Sequence, residues 1–153
     1  MVSGKLFGIV TAGALVLGLG VSMAYASADD AIKGRQACMK AHGKMMGDLA
    51  AIFKGEQPYD AAAVQAALTA NEGACTDWDK WWGADTQKGE TLETWAKPEI
   101  WSDAEGFKAA GEAFYGKYLA LKGTTDEAGF KAAFPDVGAG CKGCHEKFRR
   151  PKE

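Results

Sequence analysis

The residues with the clearest chemical capacity stand near the end of the chain, where Cys141, Lys142, Gly143, Cys144 and His145 form the pattern C-x-x-C-H. Two thiols at this spacing can add to the two vinyl groups of one haem, and the imidazole that follows is placed to ligate its iron. The pattern predicts one covalent haem c, attached through Cys141 and Cys144, with His145 as the proximal iron ligand.

Zinc binding and dithiol redox chemistry are the alternatives for such a motif. A structural zinc ion takes four protein ligands, whereas the other histidine, His42, stands alone in the sequence, and Cys38 and Cys75 lack the C-x-x-C spacing. A thioredoxin-like dithiol belongs to a βαβ setting, and no strand pattern surrounds the motif. The sequence favours haem attachment over both.

The first 26 residues have the pattern of a secretory signal peptide. Lys5 supplies a positive charge, Leu6 to Val21 is an apolar stretch, and Ala24-Tyr25-Ala26 is a small-residue cleavage site. A retained membrane anchor is the alternative, but the apolar run is short and rich in glycine. We expect a signal peptide over residues 1–26, a mature domain over residues 27–153, export to the periplasm and no membrane attachment after cleavage.

The composition fits one globular domain, since the 153 residues are 47% hydrophobic and 25% charged. The sequence has 18 basic and 20 acidic side chains, and Lys5 is the one charged residue of the first 26. The mature chain therefore has 17 basic against 20 acidic side chains, a formal net charge of −3. The basic cluster from Lys147 to Lys152 is typical of a solvated helix end, so we expect no nucleic-acid partner.

Four segments have helical periodicity, and none shows the alternation of a half-buried strand. The first covers about residues 30–53, the second runs from a cap at Asp60 to Trp82, and an irregular connection covers residues 83–101. Two further helices complete the mature chain. This arrangement predicts an all-α fold, an antiparallel four-helix bundle with the haem near the C-terminus.

Finer features of these helices are also predicted. The residues expected to form the core stripe of the first helix are Ile32, Met39, Met46 and Phe53, with Leu49 and Ile52 filling the intervening turn. Capping boxes are expected at Ser102 with Glu105 and at Thr124 with Glu127, and Leu119 is expected to make apolar contacts. Because Pro135 lacks a backbone donor, a kink or a late start is expected in the last helix.

Cys38 and Cys75 lie about 18 residues on either side of the turn near Glu56, so an antiparallel hairpin brings them to one level. Small neighbouring residues allow the two helices to approach closely enough for a disulfide. In an oxidising compartment, a Cys38–Cys75 bridge is favoured over two buried free thiols.

Three further segments accompany the haem motif: Arg35–Lys40, Lys54–Asp60 and Pro98–Asp103. Together they resemble class II cytochromes c, which include cytochrome c′ and the low-spin cytochromes c556. The resemblance covers essentially the whole mature chain and implies a four-helix bundle with one haem c. Similar proteins often dimerise through their first two helices, so a homodimer is among the expected assemblies.

The resemblance also assigns a role to the residue four after Arg35, which in this family faces the sixth coordination site of the iron. That residue is Met39. A non-ligating apolar residue there implies the open iron of cytochrome c′, whereas methionine implies the six-coordinate iron of cytochrome c556. In an antiparallel pair of helices the axial offset from His145 is about 8 Å for Met39, against about 12 Å for His42 and 18 Å for Met46. The alternative is that Met39 fills a gap in the core.

Two arginines are tentative haem contacts. In similar proteins a basic residue at the position of Arg149 lies against the haem near the proximal imidazole, and one at the position of Arg35 lies near a propionate. For both, an ordinary solvated charge is the alternative.

The leading functional hypothesis is a periplasmic electron carrier with His145 and Met39 as axial iron ligands and unidentified redox proteins as partners. The alternative is a cytochrome c′-like protein that binds nitric oxide or carbon monoxide at an open or Met-displaced iron. Because no acid, base or nucleophile constellation accompanies the haem motif, we expect no enzyme activity.

Overall fold

The computed structural model describes residues 27–151, which form an all-α bundle and include no β-strand. The helices, in chain order, are α1 (Ala28–Phe53), α2 (Ala61–Gly73), α3 (Glu99–Ser102), α4 (Ala104–Lys122) and α5 (Glu127–Phe148). The predicted four-helix bundle is confirmed, with α3 as a single extra turn before α4. No helix within residues 27–151 is long and apolar enough to cross a bilayer. The predicted signal peptide lies outside the described residues.

Short polar side chains begin the long helices, because their oxygens accept the first unpaired backbone N–H groups. Ser27 and Asp30 form a capping box on α1, and Asp60 caps α2 as predicted. The capping boxes predicted at Ser102 and Thr124 are wrong. The N-cap of α4 is Asp103, which accepts from the N–H of Gly106, and that of α5 is Asp126, which accepts from the N–H of Gly129. Ser102 belongs to α3, and the Thr124 hydroxyl donates to the carbonyl of Leu121.

Two helix boundaries also differ from the prediction. The second helix ends at Gly73 rather than near Trp82, and the chain continues through turns and a short 3₁₀ helix, Trp78–Trp81. Glycine is among the least favourable residues in a helix, and α2 ends at Gly73 although the apolar spacing continues to Trp82. The last helix begins at Glu127 and continues through Pro135, so the predicted late start is wrong.

The buried face of α1 is rotated from the predicted stripe. Ile32 is buried, but Met39 and Phe53 are 37% and 36% exposed. Cys38, Met45 and Ile52 are buried and are themselves seven residues apart, so the predicted period is right but the stripe is displaced by one residue, about 100° around the helix. Leu49 and Ile52, predicted to fill the intervening turn, are buried, as are Arg35, Cys38 and Met45, which were not part of the predicted stripe.

The main core lies between the long helices. Its most buried members outside α1 are Val64, Leu68, Tyr118, Leu121, Phe130 and Val137. On α4, Tyr118 and Leu121 occupy the core side, while Leu119 is 45% exposed, so the predicted packing role of Leu119 is wrong. Residues three apart on a helix share a face, and Leu119 lies on a different one.

Tyr118 supplies a buried polar link between α4 and α2, since its hydroxyl donates to the carbonyl of Leu68 at 2.7 Å. Burial, with the charge of Glu72, raises the pKa of Tyr118 to about 12, so the hydroxyl remains a donor at neutral pH. We expect Tyr118→Phe to lower the free energy of unfolding by about 1 kcal/mol. Urea unfolding measures this, with Tyr115→Phe on an exposed site of the same helix as the control. Equal stabilities of the two variants would contradict the assignment.

A disulfide joins α1 to the segment after α2. The Sγ atoms of Cys38 and Cys75 are 2.07 Å apart and their Cα atoms 5.0 Å apart. Cys38 is fully buried. Because Met39 follows Cys38 and Trp78 lies three residues after Cys75, the bridge links two parts of the chain that also line the cavity described next.

Candidate haem site

The C-terminal end of α5 carries the residues of the C-x-x-C-H motif. Cys141, Cys144 and His145 stand three and four residues apart, so they share one face of the helix. The backbone N–H of Arg149 donates to the carbonyl of His145 at 3.0 Å and ends the helix. Cys141 and Cys144 are partly buried and lie outside the disulfide, whereas His145 is exposed.

A strand-like contact fixes this helix end against the long connection. Ala96 and Arg149 form an isolated antiparallel β-bridge. The N–H of Lys97 donates to the carbonyl of Phe148 at 3.0 Å, and the N–H of Arg150 donates to the carbonyl of Trp95 at 2.8 Å. The connection predicted to be irregular thus has a definite role, since it closes one side of a cavity next to His145.

That cavity, of about 550 Å³, lies between α1, α5 and the connection. It brings together five of the predicted site residues: Arg35, Met39, Cys144, His145 and Arg149. Cys141, one turn earlier on α5, is not among the lining residues. The remaining lining is largely apolar and comprises Gln36, Lys40, Trp78, Trp82, Glu93, Thr94, Trp95, Ala96, Ile100, Phe107 and Phe148.

Met39 faces this cavity and is not part of the core. Its side chain is 37% exposed, and it lies on α1 whereas His145 lies on α5. Among the methionines of residues 27–151 it alone lines the cavity, because Met45 is buried in the core and Met46 packs against the core. Core filling therefore does not describe Met39.

Arg35 is a buried cation, 5% exposed. Its guanidinium lies over the ring of Trp82 at 4.8 Å and near that of Trp101 at 5.7 Å, and Nη2 donates to the carbonyl of Thr86 at 2.6 Å. Burial lowers the pKa of Arg35. Its Nε and Nη1 groups are buried without a hydrogen-bond partner. Unpaired buried donors are costly, so the site is suited to receive an anion.

Burial also sets the protonation of the motif. It raises the pKa of the Cys141 and Cys144 thiols, so both are protonated at neutral pH. Partial desolvation of the ring lowers the pKa of His145, and the positive charge of Arg149 lowers it further. His145 is therefore neutral at pH 7, which is the form of imidazole that ligates a metal.

These residues fit a covalently bound haem. Cys144 and His145 line an aromatic cavity, Cys141 lies one helical turn before Cys144, and Arg35 offers unpaired donors for a propionate. When bound, the haem supplies an iron that changes redox state and takes axial ligands. Cys141 and Cys144 would hold the porphyrin, His145 would ligate the iron, and Met39 would line the same cavity from α1.

Comparison with known proteins decides the family, since the family model for cytochrome C′ matches residues 30–149. The chain belongs to the cytochrome c′ family. Cytochrome c′ of Alcaligenes xylosoxydans xylosoxydans is 35% identical over 132 residues, which cover 84% of this chain and 99% of that protein. Cytochrome c-556 of Agrobacterium fabrum is 34% identical over 149 residues, which cover 96% of this chain and 92% of that protein.

One solved structure of a related protein contains a bound ligand, nitric oxide. The nitric oxide complex of a leucine variant of cytochrome c′ from Alcaligenes xylosoxidans superposes with a TM-score of 0.72 at 34% identity, covering 83% of this chain and 99% of that chain. Family membership makes the protein a c-type cytochrome with a covalently attached haem c, as the motif predicted.

The sequence analysis did not identify Trp82, Trp95 and Trp101 as site residues. Trp82 and Trp101 hold the Arg35 guanidinium, and the Arg149 guanidinium lies 4.7 Å from the centre of the Trp95 ring. The signal in the sequence was the crowding of five tryptophans between residues 78 and 101. Arginine over an aromatic face is favourable, more so when water is excluded.

The charge of Arg35 gives a testable effect on the haem. We expect Arg35→Leu to lower the reduction potential by on the order of 50 mV, because a nearby positive charge favours ferrous over ferric iron. A spectroelectrochemical titration measures the change. Arg35→Lys keeps the charge and should move the potential less, and an unchanged potential in Arg35→Leu would exclude a contact between Arg35 and the haem.

Proposed function

We propose that the protein binds a diatomic gas, nitric oxide or carbon monoxide, at the haem iron on the side that Met39 faces. The observation that carries the proposal is the cavity itself. It is largely apolar, and Met39 projects into it from α1 while His145 reaches it from α5. The nitric oxide complex of the related cytochrome c′ supports the same ligand class for this chain.

In this proposal, different residues around the cavity ligate the iron, restrict the access of the gas and exclude polar ligands. His145 would ligate the iron, and the β-bridge between Ala96 and Arg149 fixes the end of the helix that carries it. Met39 is a neutral, flexible thioether that a gas must pass or displace. The apolar lining excludes water and polar ligands while admitting a small uncharged molecule. The proposed role is binding, without enzymatic turnover.

Electron transfer through a low-spin haem is the second candidate function. The observation that favours it is that Met39, a residue able to ligate iron, lines the cavity with His145. Histidine with methionine raises the reduction potential of a haem. The similarity to cytochrome c-556 over 96% of the chain is compatible with this candidate. Its partners would be redox proteins, which the chain itself does not identify.

One set of absorption spectra separates the two candidates. Ferric and ferrous spectra are recorded with and without carbon monoxide. A high-spin ferric haem and rapid carbon monoxide binding would support gas binding at an open iron. A low-spin ferric haem with a sulfur-to-iron charge-transfer band, together with no carbon monoxide binding, would support electron transfer and contradict the gas-binding proposal.

The cellular setting is proposed on separate grounds. The signal-peptide pattern of residues 1–26 supports a periplasmic location. Covalent haem attachment supports it too, because c-type haem is attached to exported chains. A homodimer is proposed because proteins of the cytochrome c′ family are often dimeric. Fractionation of the native cells and sedimentation of the purified holoprotein test these two points.

A further inference from the structure

A second group of metal-ligand atoms lies apart from the haem cavity, where α1 approaches the end of α2. It consists of Cys38, His42 and Cys75. The His42 Nδ1 atom is 3.5 Å from the Cys38 Sγ atom and 3.7 Å from the Cys75 Sγ atom. Within residues 27–151, no other three histidine, cysteine or acidic side chains bring their ligand atoms so close together.

The surroundings of this group suit a metal ligand set. Cys38 is fully buried, and His42 and Cys75 are partly buried, so solvent reaches the group from one side. Burial lowers the pKa of His42 and keeps its imidazole neutral. The ring of Phe114 lies 5.2 Å from that of His42 and limits its movement. None of the three residues lines the haem cavity.

We propose that reduction of the Cys38–Cys75 disulfide converts this group into a binding site for one Cu⁺ ion, ligated by the two cysteine sulfurs and His42. Soft thiolate donors favour Cu⁺ and Zn²⁺ among common ions. Zinc in a structural site takes four protein ligands, and the described residues place three here. The donor number therefore favours Cu⁺.

The conversion requires a reductant, which we assign to the class of dithiols. The reductant passes two electrons and two protons to the Cys38–Cys75 bond, which breaks into two thiols while the reductant forms its own disulfide. Cu⁺ then replaces the two thiol protons, which leave to solvent. In the disulfide form, His42 Nδ1 donates to the carbonyl of Cys38 at 2.9 Å. Ligation through this atom transfers its proton to Nε2 by tautomer exchange.

The test uses the haem-loaded protein with the iron kept ferrous by ascorbate, so that Cu⁺ is not oxidised by ferric haem. The disulfide is reduced by a dithiol, the dithiol is removed without air, and Cu⁺ is added in stoichiometric amount. Native mass spectrometry should show one copper per reduced chain and none on the disulfide form. Copper on both forms, or on neither, would overturn the proposal, as would Zn²⁺ binding to the reduced chain in preference to Cu⁺.

Variants then locate the copper. The double variant Cys38→Ser/Cys75→Ser should bind none, and His42→Gln should lower the affinity at least about tenfold. Lys44→Ala, an exposed change on the same helix, is the control and should bind as the wild type does. Unchanged affinity in His42→Gln would remove histidine from the site.

X-ray absorption at the copper edge of the reduced wild type identifies the copper ligands without any variant. Two sulfur neighbours and one nitrogen are expected, and any other set contradicts the proposal.

Discussion

Replacing Met39 by alanine is expected to accelerate carbon monoxide binding to the ferrous haem at least about tenfold, which corresponds to about 1.4 kcal/mol of activation free energy. Met39 faces the haem cavity with 37% of its surface exposed, so truncation vacates the space through which the gas approaches. The two thioether links hold the porphyrin independently of the axial ligands, so the haem should stay bound. Flash photolysis of the carbon monoxide complex measures the rate.

The spin state of the same variant shows how Met39 acts. If its sulfur ligates the iron, the ferric spectrum should change from low-spin to high-spin and the reduction potential should fall, because sulfur ligation favours ferrous iron. If Met39 only covers the iron, both proteins should be high-spin and the binding rate alone should change. The two results separate electron transfer from gas binding as the primary function.

Met46→Ala is the matched control for this experiment. Met46 lies on the same helix but packs against the main core, so its loss should affect stability and leave the spectrum unchanged. If Met39→Ala leaves both the carbon monoxide rate and the spectrum unchanged, Met39 does not face the iron.

Removal of the disulfide is expected to give the largest loss of stability. The Cys38–Cys75 bridge closes a loop with a sequence separation of 37 residues. In the chain-entropy description, a loop of this length stabilises the folded state by about 4 kcal/mol, because the bridge restricts the unfolded chain. We therefore expect Cys75→Ser to lower the free energy of unfolding by about that amount. Urea unfolding of the holoprotein measures it.

Reduction of the wild type provides the control. A reductant should destabilise the wild type to nearly the level of the double variant Cys38→Ser/Cys75→Ser, and it should not affect the double variant. The dependence of stability on urea should also become steeper without the bridge, since the unfolded chain exposes more surface. A loss below about 1 kcal/mol in all three cases would show that the bridge does not restrict the unfolded chain.

The haem chemistry could be predicted from local sequence because its signal is local. The haem motif is recognised from the spacing of Cys141, Cys144 and His145 within five residues. One helical turn places all three on the same face of the helix, whatever the helix packs against. The all-α fold and the Asp60 cap followed from similarly short-range patterns.

Features that depend on helix packing were predicted less well. The α1 stripe was wrong because a seven-residue spacing does not show which side of a helix meets its neighbours, and the end of α2 was misplaced because apolar spacing continued beyond Gly73. The N-caps at Asp103 and Asp126 were missed since competing cap residues stood beside them in the sequence.

The sequence by itself therefore determined the cofactor, its covalent attachment and the helical class. The tertiary structure alone decided that Met39 faces the cavity while Met46 faces the core, and that buried Arg35 keeps unpaired donors. It also decided that His42 lies beside the disulfide. The physical reason is that burial and unpaired hydrogen-bonding groups depend on which segments pack together, and residues 82 and 101, far apart in the chain, meet at Arg35 only in the folded state.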